Sequence, residues 1–216
     1  MHVIAVNRGA RTRQAGSASW TGIDKRPVDG RVSITEFGVE GDHVCDGRYH
    51  GGPDQAVYVY GGADYAWWRS AQGRDFAPGT FGENLVVDGL ACADIAIGDR
   101  LLIGDVVLQA TDVRIPCGTL ARKMGDPGFP AIFAASDRPG FYTRVLTPGT
   151  LGAGDPVRVV PYEGERVTVL ELKRDYAKPD TTEAGLERLL AAPVSERFRA
   201  RKEKQRAARC AKENVD

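Results

Sequence analysis

Residues 1 to 162 alternate short apolar segments with turns that are rich in glycine. Segments of this length that contain many Val, Ile, Leu and Tyr residues are typical of β-strands. The candidate strands are VSITEF, QAVYVYG, ENLVVDG, RLLIGDVVLQATDV, FYTRVL and DPVRVVPY. In the longest segment, Gly104–Asp105 separates two apolar arms and predicts a two-residue hairpin turn. Many short strands with glycine corners favour a closed or nearly closed β-barrel.

Helical patterns are short in this region and dominate after Pro161. The predicted helices are ADYAWWRSA, TLARKMG and FPAIFAAS, followed by VTVLELKRDYA, TTEAGLERLLAA and SERFRARKEKQRAARCAKE. Asp180 and Glu183 have the spacing of a capping box, and Ser195 is a candidate cap for the last helix. The sequence therefore predicts a mainly β fold with two domains, a β-barrel over residues 1–162 and a small three-helix domain over residues 163–216.

Composition and charge narrow the classes of partner. The chain has 29 Lys and Arg residues and 29 Asp and Glu residues, and this zero net charge disfavours nucleic acid as a partner. No apolar run is long enough to span a bilayer, and the N-terminus lacks a secretory signal, so we expect a cytoplasmic protein without a membrane partner. A homodimer is compatible with the sequence. The basic segment from Ser195 onward has three interpretations: a solvated helix, a protein-docking face, or a nucleic-acid contact.

Four cysteines are candidates for chemistry, and they are Cys45, Cys92, Cys117 and Cys210. None belongs to a CxxC pair, which excludes a zinc knuckle or a thioredoxin motif. Cys117 ends a strand and opens a helix, with Arg114, Arg122 and Lys123 nearby. A helix N-terminus and basic neighbours both favour the thiolate form. The alternative is a small buried apolar residue in a tight corner, and the residues alone leave both interpretations open.

Two further polar clusters precede this cysteine in the sequence. The first runs from Gly41–Asp42–His43 to His50–Gly51–Gly52–Pro53–Asp54–Gln55, and the second is the turn around Glu83 and Asn84. Glycines let a backbone approach a ligand closely, so each cluster is a candidate binding loop. The alternative is that their polar residues satisfy only the hydrogen bonds of their own turns.

Together these segments and their order resemble the MOSC domain, the module related to the C-terminal part of molybdenum cofactor sulfurases. The matching segments are GDHVCDGRYHGGPDQAVYVY, GTFGENLVVDGL, IGDRLLIGDVVLQATDVRIPC and GFYTRVLTPGTLGAGD. The C-terminal helices resemble the three-α domain that follows MOSC in the YiiM-like branch, which is associated with resistance to 6-hydroxylaminopurine. This resemblance covers more than half of the chain.

The resemblance implies a pyruvate-kinase-like β-barrel that binds a molybdenum–pterin cofactor through one protein thiolate, here Cys117 in the R-x-P-C segment. It also implies that three motifs line the cofactor pocket: His50 with Asp54, Glu83 with Asn84, and Tyr142 with Arg144. The pterin phosphate needs fixed positive charge, for which the candidates are Arg144, Arg114, Arg122 and Lys123.

The implied activity is the reduction of N-hydroxylated compounds such as 6-hydroxylaminopurine, with His50 or Asp54 as the expected proton donor. The sequence has no GxGxxG segment and no ferredoxin cysteine set, so we expect a separate reductase as electron donor. The alternative is a sulfur or molybdenum-cofactor carrier without turnover, because a shared fold does not fix the chemistry.

Overall fold

The structure, a computed structural model, describes residues 1–14, 16–47 and 50–213. Residues 214–216 of the predicted C-terminal domain lie outside this part. In chain order the strands are β1 (Val3–Gly9), β2 (Thr12–Arg13), β3 (Trp20–Thr21), β4 (Lys25–Pro27), β5 (Arg31–Thr35), β6 (Gly38–Val39), β7 (Val57–Gly61), β8 (Leu85–Val87), β9 (Arg100–Ile103), β10 (Val106–Val113), β11 (Phe141–Thr147), β12 (Gly149–Gly152) and β13 (Arg158–Val160). The helices are α1 (Gly62–Gln72), α2 (Gly118–Met124), α3 (Phe129–Ala135), α4 (Val169–Ala177), α5 (Glu183–Ala191) and α6 (Glu196–Glu213).

The strands form one large sheet and two small ones. The large sheet has the order β13-β9-β10-β11-β7-β8-β1-β4 and is antiparallel except for the parallel β7–β8 pair. The segment β12-β5-β6 forms a three-stranded sheet, and β2 pairs with β3. The predicted hairpin is confirmed, since Ile103 pairs with Val106 across Gly104–Asp105. Strand β1 was not predicted, because polar Asn7 and Arg8 interrupt its apolar run.

Strand β7 shows how the fold separates its core from the site. Successive side chains of a strand point to opposite faces. Val57 and Val59 enter the main apolar core, which strands of both larger sheets enclose together. Tyr58 and Tyr60 point the other way, into an aromatic cluster that α1, α2 and α3 cover. The predicted β-rich body with helices is therefore confirmed, and its second, aromatic face carries the site.

The three C-terminal helices share the main core with the strands, through residues such as Leu172, Leu189 and Phe198. Helix α4 begins with a capping box formed by Thr168 and Glu171. Ser195 caps α6 as predicted, since its hydroxyl accepts a hydrogen bond from the N–H of Phe198 at 3.2 Å.

The cap of α5 is Thr182, which differs from the predicted Asp180. Asp180 instead accepts hydrogen bonds from the backbone and hydroxyl of Thr182, at 2.9 and 2.7 Å, so it orders the cap indirectly. Over the described ranges, none of the helices combines the length and apolar character that crossing a bilayer requires.

Candidate active site

A cavity of about 120 Å³ opens where β10 gives way to α2, and a second cavity of about 610 Å³ adjoins it. The chain enters this corner through Arg114 and places Cys117 as the residue before α2. The predicted site residues that line the first cavity are Cys117, His50, Arg114, Asn84 and Tyr142. The fold thus brings together residues that lie far apart in the sequence, on the aromatic face of the sheet.

The surroundings of Cys117 favour its thiolate form. Burial by itself would raise the pKa of the thiol, but a hydrogen bond from His50 and the charge of Arg114 oppose it. The N–H groups of Leu120 and Thr119 also donate toward the sulfur, and the result is a pKa of about 5. The two Arg114 guanidinium nitrogens lie 3.9 and 4.0 Å from the Cys117 Sγ. Cys117 is therefore ionised at neutral pH in this arrangement.

Lys25 adds a second cation to the cavity wall. Its ammonium group pairs with the Asp42 carboxylate, and both side chains are 8% exposed. The other bonds of Asp42 come from the N–H of Gly9 at 2.7 Å and the amide of Asn84 at 2.9 Å. Burial lowers the pKa of Lys25, and the Asp42 charge opposes this shift. We call Cys117, His50, Arg114 and Lys25 the cavity cluster.

Glu83, the neighbour of Asn84 in the predicted motif, does not line the cavity. It is fully buried, and it accepts hydrogen bonds from the hydroxyl of Tyr65 and the N–H groups of Gly79 and Phe81. Burial raises its pKa, against the effect of these hydrogen bonds. Glu83 therefore closes the turn that presents Asn84, and its carboxylate is not offered to a ligand.

Asp54 and Arg144 also point away from the cavity. The Asp54 carboxylate pairs with Arg144 at 2.8 Å and accepts the N–H of Glu196, in the first turn of α6, at 2.7 Å. Arg144 donates as well to the carbonyls of Pro193 and Val194, at 3.4 and 3.2 Å. Both residues therefore join the sheet to the C-terminal helices.

Asp112 extends this contact between sheet and helices. Its carboxylate accepts hydrogen bonds from the hydroxyls of Ser195 at 2.6 Å and Tyr176 at 3.2 Å. Burial raises the pKa of Asp112, against the hydrogen bonds that it accepts. We call Asp54, Asp112, Arg144, Tyr176 and Ser195 the interface cluster.

The two remaining candidates for binding the pterin phosphate, Lys123 and Arg122, differ in whether they already have partners. Lys123 donates to the carbonyls of Ile23 and Gly79, at 2.7 and 2.6 Å, and so fastens two loops. Arg122 is exposed and lines the second cavity.

Several wall residues were not predicted from the sequence. These are Trp20, Lys25 and Tyr58 in the first cavity, and Arg11 in the second. His43, from the first polar cluster, and Cys45, one of the candidate cysteines, line both cavities. Lys25 lies in a short polar segment whose partner, Asp42, is distant in the chain, so only the fold reveals the pair. Close packing brings the two segments together: a Cβ on Gly22 would lie 1.8 Å from the His43 carbonyl oxygen.

The donor groups fit a metal that brings most of its own ligands. Within the described ranges, no group of three or more His, Cys, Asp or Glu residues could hold a metal ion. A single ionised thiolate is a soft ligand, and it suits a metal whose other ligands are the sulfurs of a cofactor. Cys117 would hold that metal, and the cations of the two cavities suit a cofactor with a negatively charged end.

Residues 46–158 match the MOSC domain family. The chain belongs to this family. It is 34% identical over 181 residues to the uncharacterized protein YflK of Bacillus subtilis, covering 83% of this chain and 82% of that protein. It is also 30% identical over 174 residues to a protein named "Reductase" from Gibberella moniliformis, covering 78% of this chain and 30% of that longer protein.

The fold comparison agrees with the sequence comparison. The crystal structure of YiiM from Geobacillus stearothermophilus matches with a TM-score of 0.77 at 26% identity, covering 94% of this chain and 98% of that one. The chain is therefore a YiiM-like MOSC protein, as the sequence motifs predicted. MOSC domains are associated with binding of the molybdenum cofactor, which agrees with the single thiolate donor in the cavity.

Proposed function

We propose that this MOSC chain is a molybdenum-cofactor-dependent reductase of N-hydroxylated compounds. The observation that carries the proposal is the ionised Cys117 on the cavity wall. In the described part of the chain, no cluster of three or more His, Cys, Asp or Glu residues could hold a metal ion in its place. The similarity to a protein named as a reductase supports the reaction class. The hydroxylamine substrate class rests on the YiiM-like resemblance.

The reaction converts R–NHOH, two protons and two electrons into R–NH₂ and water. When bound, the cofactor would supply the electrons that cleave the N–O bond. Cys117 would hold the metal, and Arg114 would keep the thiolate ionised and fixed. The tyrosines Tyr58 and Tyr142, whose ring centroids lie 5.1 Å apart, form the apolar wall against which a planar substrate can pack.

His50 is the better of the two predicted proton donors. It lines the cavity and its ring donates a hydrogen bond to Cys117, so it is close to the reacting centre. Both oxygens of Asp54 are engaged, one by Arg144 and the other by the N–H of Glu196. The electrons would come from a separate reductase, because the sequence has no flavin, nicotinamide or iron–sulfur motif.

The decisive variant is Cys117→Ser, tested in protein from a host that makes the cofactor. A serine hydroxyl is a harder ligand that is neutral at pH 7, so this variant should lose the bound molybdenum and the reduction of 6-hydroxylaminopurine by an artificial electron donor. The matched control is Cys210→Ser, whose thiol is exposed on α6, and it should keep both. Molybdenum content and turnover that survive in Cys117→Ser contradict the proposal.

Turnover measurements on the same wild-type preparation distinguish a reductase from a carrier. A carrier would hold labile sulfur or cofactor on Cys117 at one equivalent per chain and would show no turnover with any N-hydroxylated substrate. A reductase turns over many equivalents of substrate per molybdenum. The measurement is product formed per bound metal, beside a sulfide-release assay on the same sample.

A further inference from the structure

Three of the four cations predicted to bind the pterin phosphate already have other partners in the structure. Arg144 is paired with Asp54, and Lys123 is held by two backbone carbonyls. Arg114 is 4% exposed, faces the Cys117 sulfur and the ring of Tyr58, and donates a hydrogen bond to the hydroxyl of Tyr142. These three cations therefore already serve an ion pair, a loop contact and the thiolate.

The second cavity has two cations that are not engaged in this way. Arg11 and Arg122 both line it, and both are exposed. In the part of the chain that the structure describes, neither guanidinium lies within ion-pair distance of a carboxylate. Asp46, an acidic residue of the same wall, is itself engaged in an interaction. Two guanidinium groups around a concave space are a typical arrangement for an anion that carries several oxygens.

The other walls of this cavity fit a small molecule that extends from the first cavity. Trp20, His43 and Thr119 line both cavities, so the two spaces adjoin. Trp20 is 42% exposed, and the Arg11 guanidinium stacks on its ring at 4.4 Å, which holds the cation in place. A volume of about 610 Å³ is of the size that binds small ligands.

We propose that Arg11 and Arg122 form a subsite for a phosphate monoester, and that this subsite holds the phosphate end of the cofactor whose metal is bound at Cys117. The assignment of this phosphate to the cofactor rests on the proposed function. A phosphate on the substrate, as in an N-hydroxylated nucleotide, has the same chemistry, and the second arm of the experiment distinguishes these two sources.

The first arm uses metal-free protein and inorganic phosphate as the probe. Binding is followed by ³¹P nuclear magnetic resonance and by tryptophan fluorescence, since Trp20 lies in the wall. Each charge-assisted contact contributes enough that its loss should weaken phosphate binding about tenfold. The test variants are Arg11→Gln, Arg122→Gln and the double variant. The matched control is Arg13→Gln, because Arg13 also stacks on Trp20, at 4.3 Å, but does not line the cavity.

The second arm uses protein loaded with cofactor in the host. If the phosphate is that of the cofactor, the double variant should lose most of its bound pterin on dialysis, while Arg13→Gln keeps it. If the phosphate is that of the substrate, pterin content stays unchanged and KM rises about tenfold for an N-hydroxylated nucleoside monophosphate but not for its free base. That second result supports the phosphate subsite and overturns the cofactor as its source.

The subsite itself is overturned if the double variant matches Arg13→Gln in phosphate binding, pterin content and KM. The first arm needs neither molybdenum nor turnover. Its result therefore stands apart from the proposed reductase activity, which the Cys117→Ser comparison tests. Because both arginines are exposed, the variants should fold, and unchanged thermal unfolding of the metal-free proteins checks this.

Discussion

The cavity cluster and the interface cluster take residues from the same two segments, yet they balance their charges differently. One loop supplies His50 and Asp54, and the end of β10 supplies Arg114 and Asp112. In the interface cluster, the carboxylates of Asp54 and Asp112 meet donors from the C-terminal helices. In the cavity cluster, the Cys117 thiolate and its cationic neighbours face a space that can hold a ligand. A satisfied polar network fixes structure, whereas charges arranged around a cavity are available for binding. We therefore propose that the interface cluster serves stability and the cavity cluster serves chemistry.

The largest effect should follow from the loss of Asp112, at the centre of the interface cluster. Asp112→Ala removes the acceptor of the Ser195 and Tyr176 hydroxyls. Buried donors without an acceptor are costly, so we expect the free energy of unfolding to fall by about 3 kcal/mol. Urea denaturation measures this change. The control is Asp105→Ala, in the exposed turn between β9 and β10, which should change it by less than about 0.5 kcal/mol.

The pH dependence of stability tests the same residue in a second way. Burial raises the pKa of Asp112, so the folded state holds its proton more strongly than the unfolded state does. Its contribution to stability is therefore fully present below the unfolded pKa, which is about 3.9, and is lost as the pH rises through the folded pKa. Relative to Asp112→Asn, which cannot titrate, the wild-type chain should be more stable near pH 4, close to the unfolded pKa, than at pH 8. A difference that does not change with pH contradicts this account.

The sequence predicted the helices, the corner of Cys117 and strands β5, β7 to β11 and β13, because these depend on local patterns. It did not predict β1 or the short strands β2, β3, β4, β6 and β12. It did not predict how the motif residues would be divided between the two clusters. His50 and Asp54 belong to one motif, but Gly51 and Gly52 have φ of 77° and 85° and turn the chain between them. His50 therefore enters the cavity, and Asp54 turns to the helices.

Tyr142 and Arg144, another pair predicted to line the cavity together, are separated by their distance along β11. Tyr142 and Arg144 lie on the same face of β11, and two residues along a strand span about 7 Å. That length carries Arg144 out of the cavity wall and into reach of Asp54. The Lys25–Asp42 pair depends on contacts between distant segments, which no pattern within one segment can reveal.

Replacing one arginine in each cluster tests directly whether only the cavity cluster supports the cofactor. Arg114→Gln should weaken molybdenum retention about 10- to 100-fold, because Arg114 supports the thiolate ligand. Arg144→Gln should retain the metal and lose about 1 kcal/mol of stability, because it breaks a partly exposed ion pair. The measurements are metal content after dialysis and urea denaturation of both variants. Equal metal loss in the two would show that Arg144 also supports the cofactor.

The smallest effect is a change in the reactivity of Cys117 in metal-free protein. With a pKa of about 5, its rate of alkylation by iodoacetamide should rise through pH 5 and level off above pH 6. His50→Ala removes the hydrogen bond that lowers this pKa, so the midpoint should move to higher pH and the rate at pH 5.5 should fall about fivefold. Mass spectrometry of the peptide that contains Cys117 gives the rate without interference from Cys45 or Cys210.

Asp54→Asn is the matched control for this measurement, because Asp54 lies in the same motif but belongs to the interface cluster. It should lower the stability of the chain and leave the pH profile of Cys117 alkylation in place. If Asp54→Asn moved the profile as far as His50→Ala does, the two clusters would be coupled through the glycines between them. The thiolate would then depend on the contact between the sheet and the C-terminal helices, and the helices would take part in the chemistry as well as in the stability of the fold.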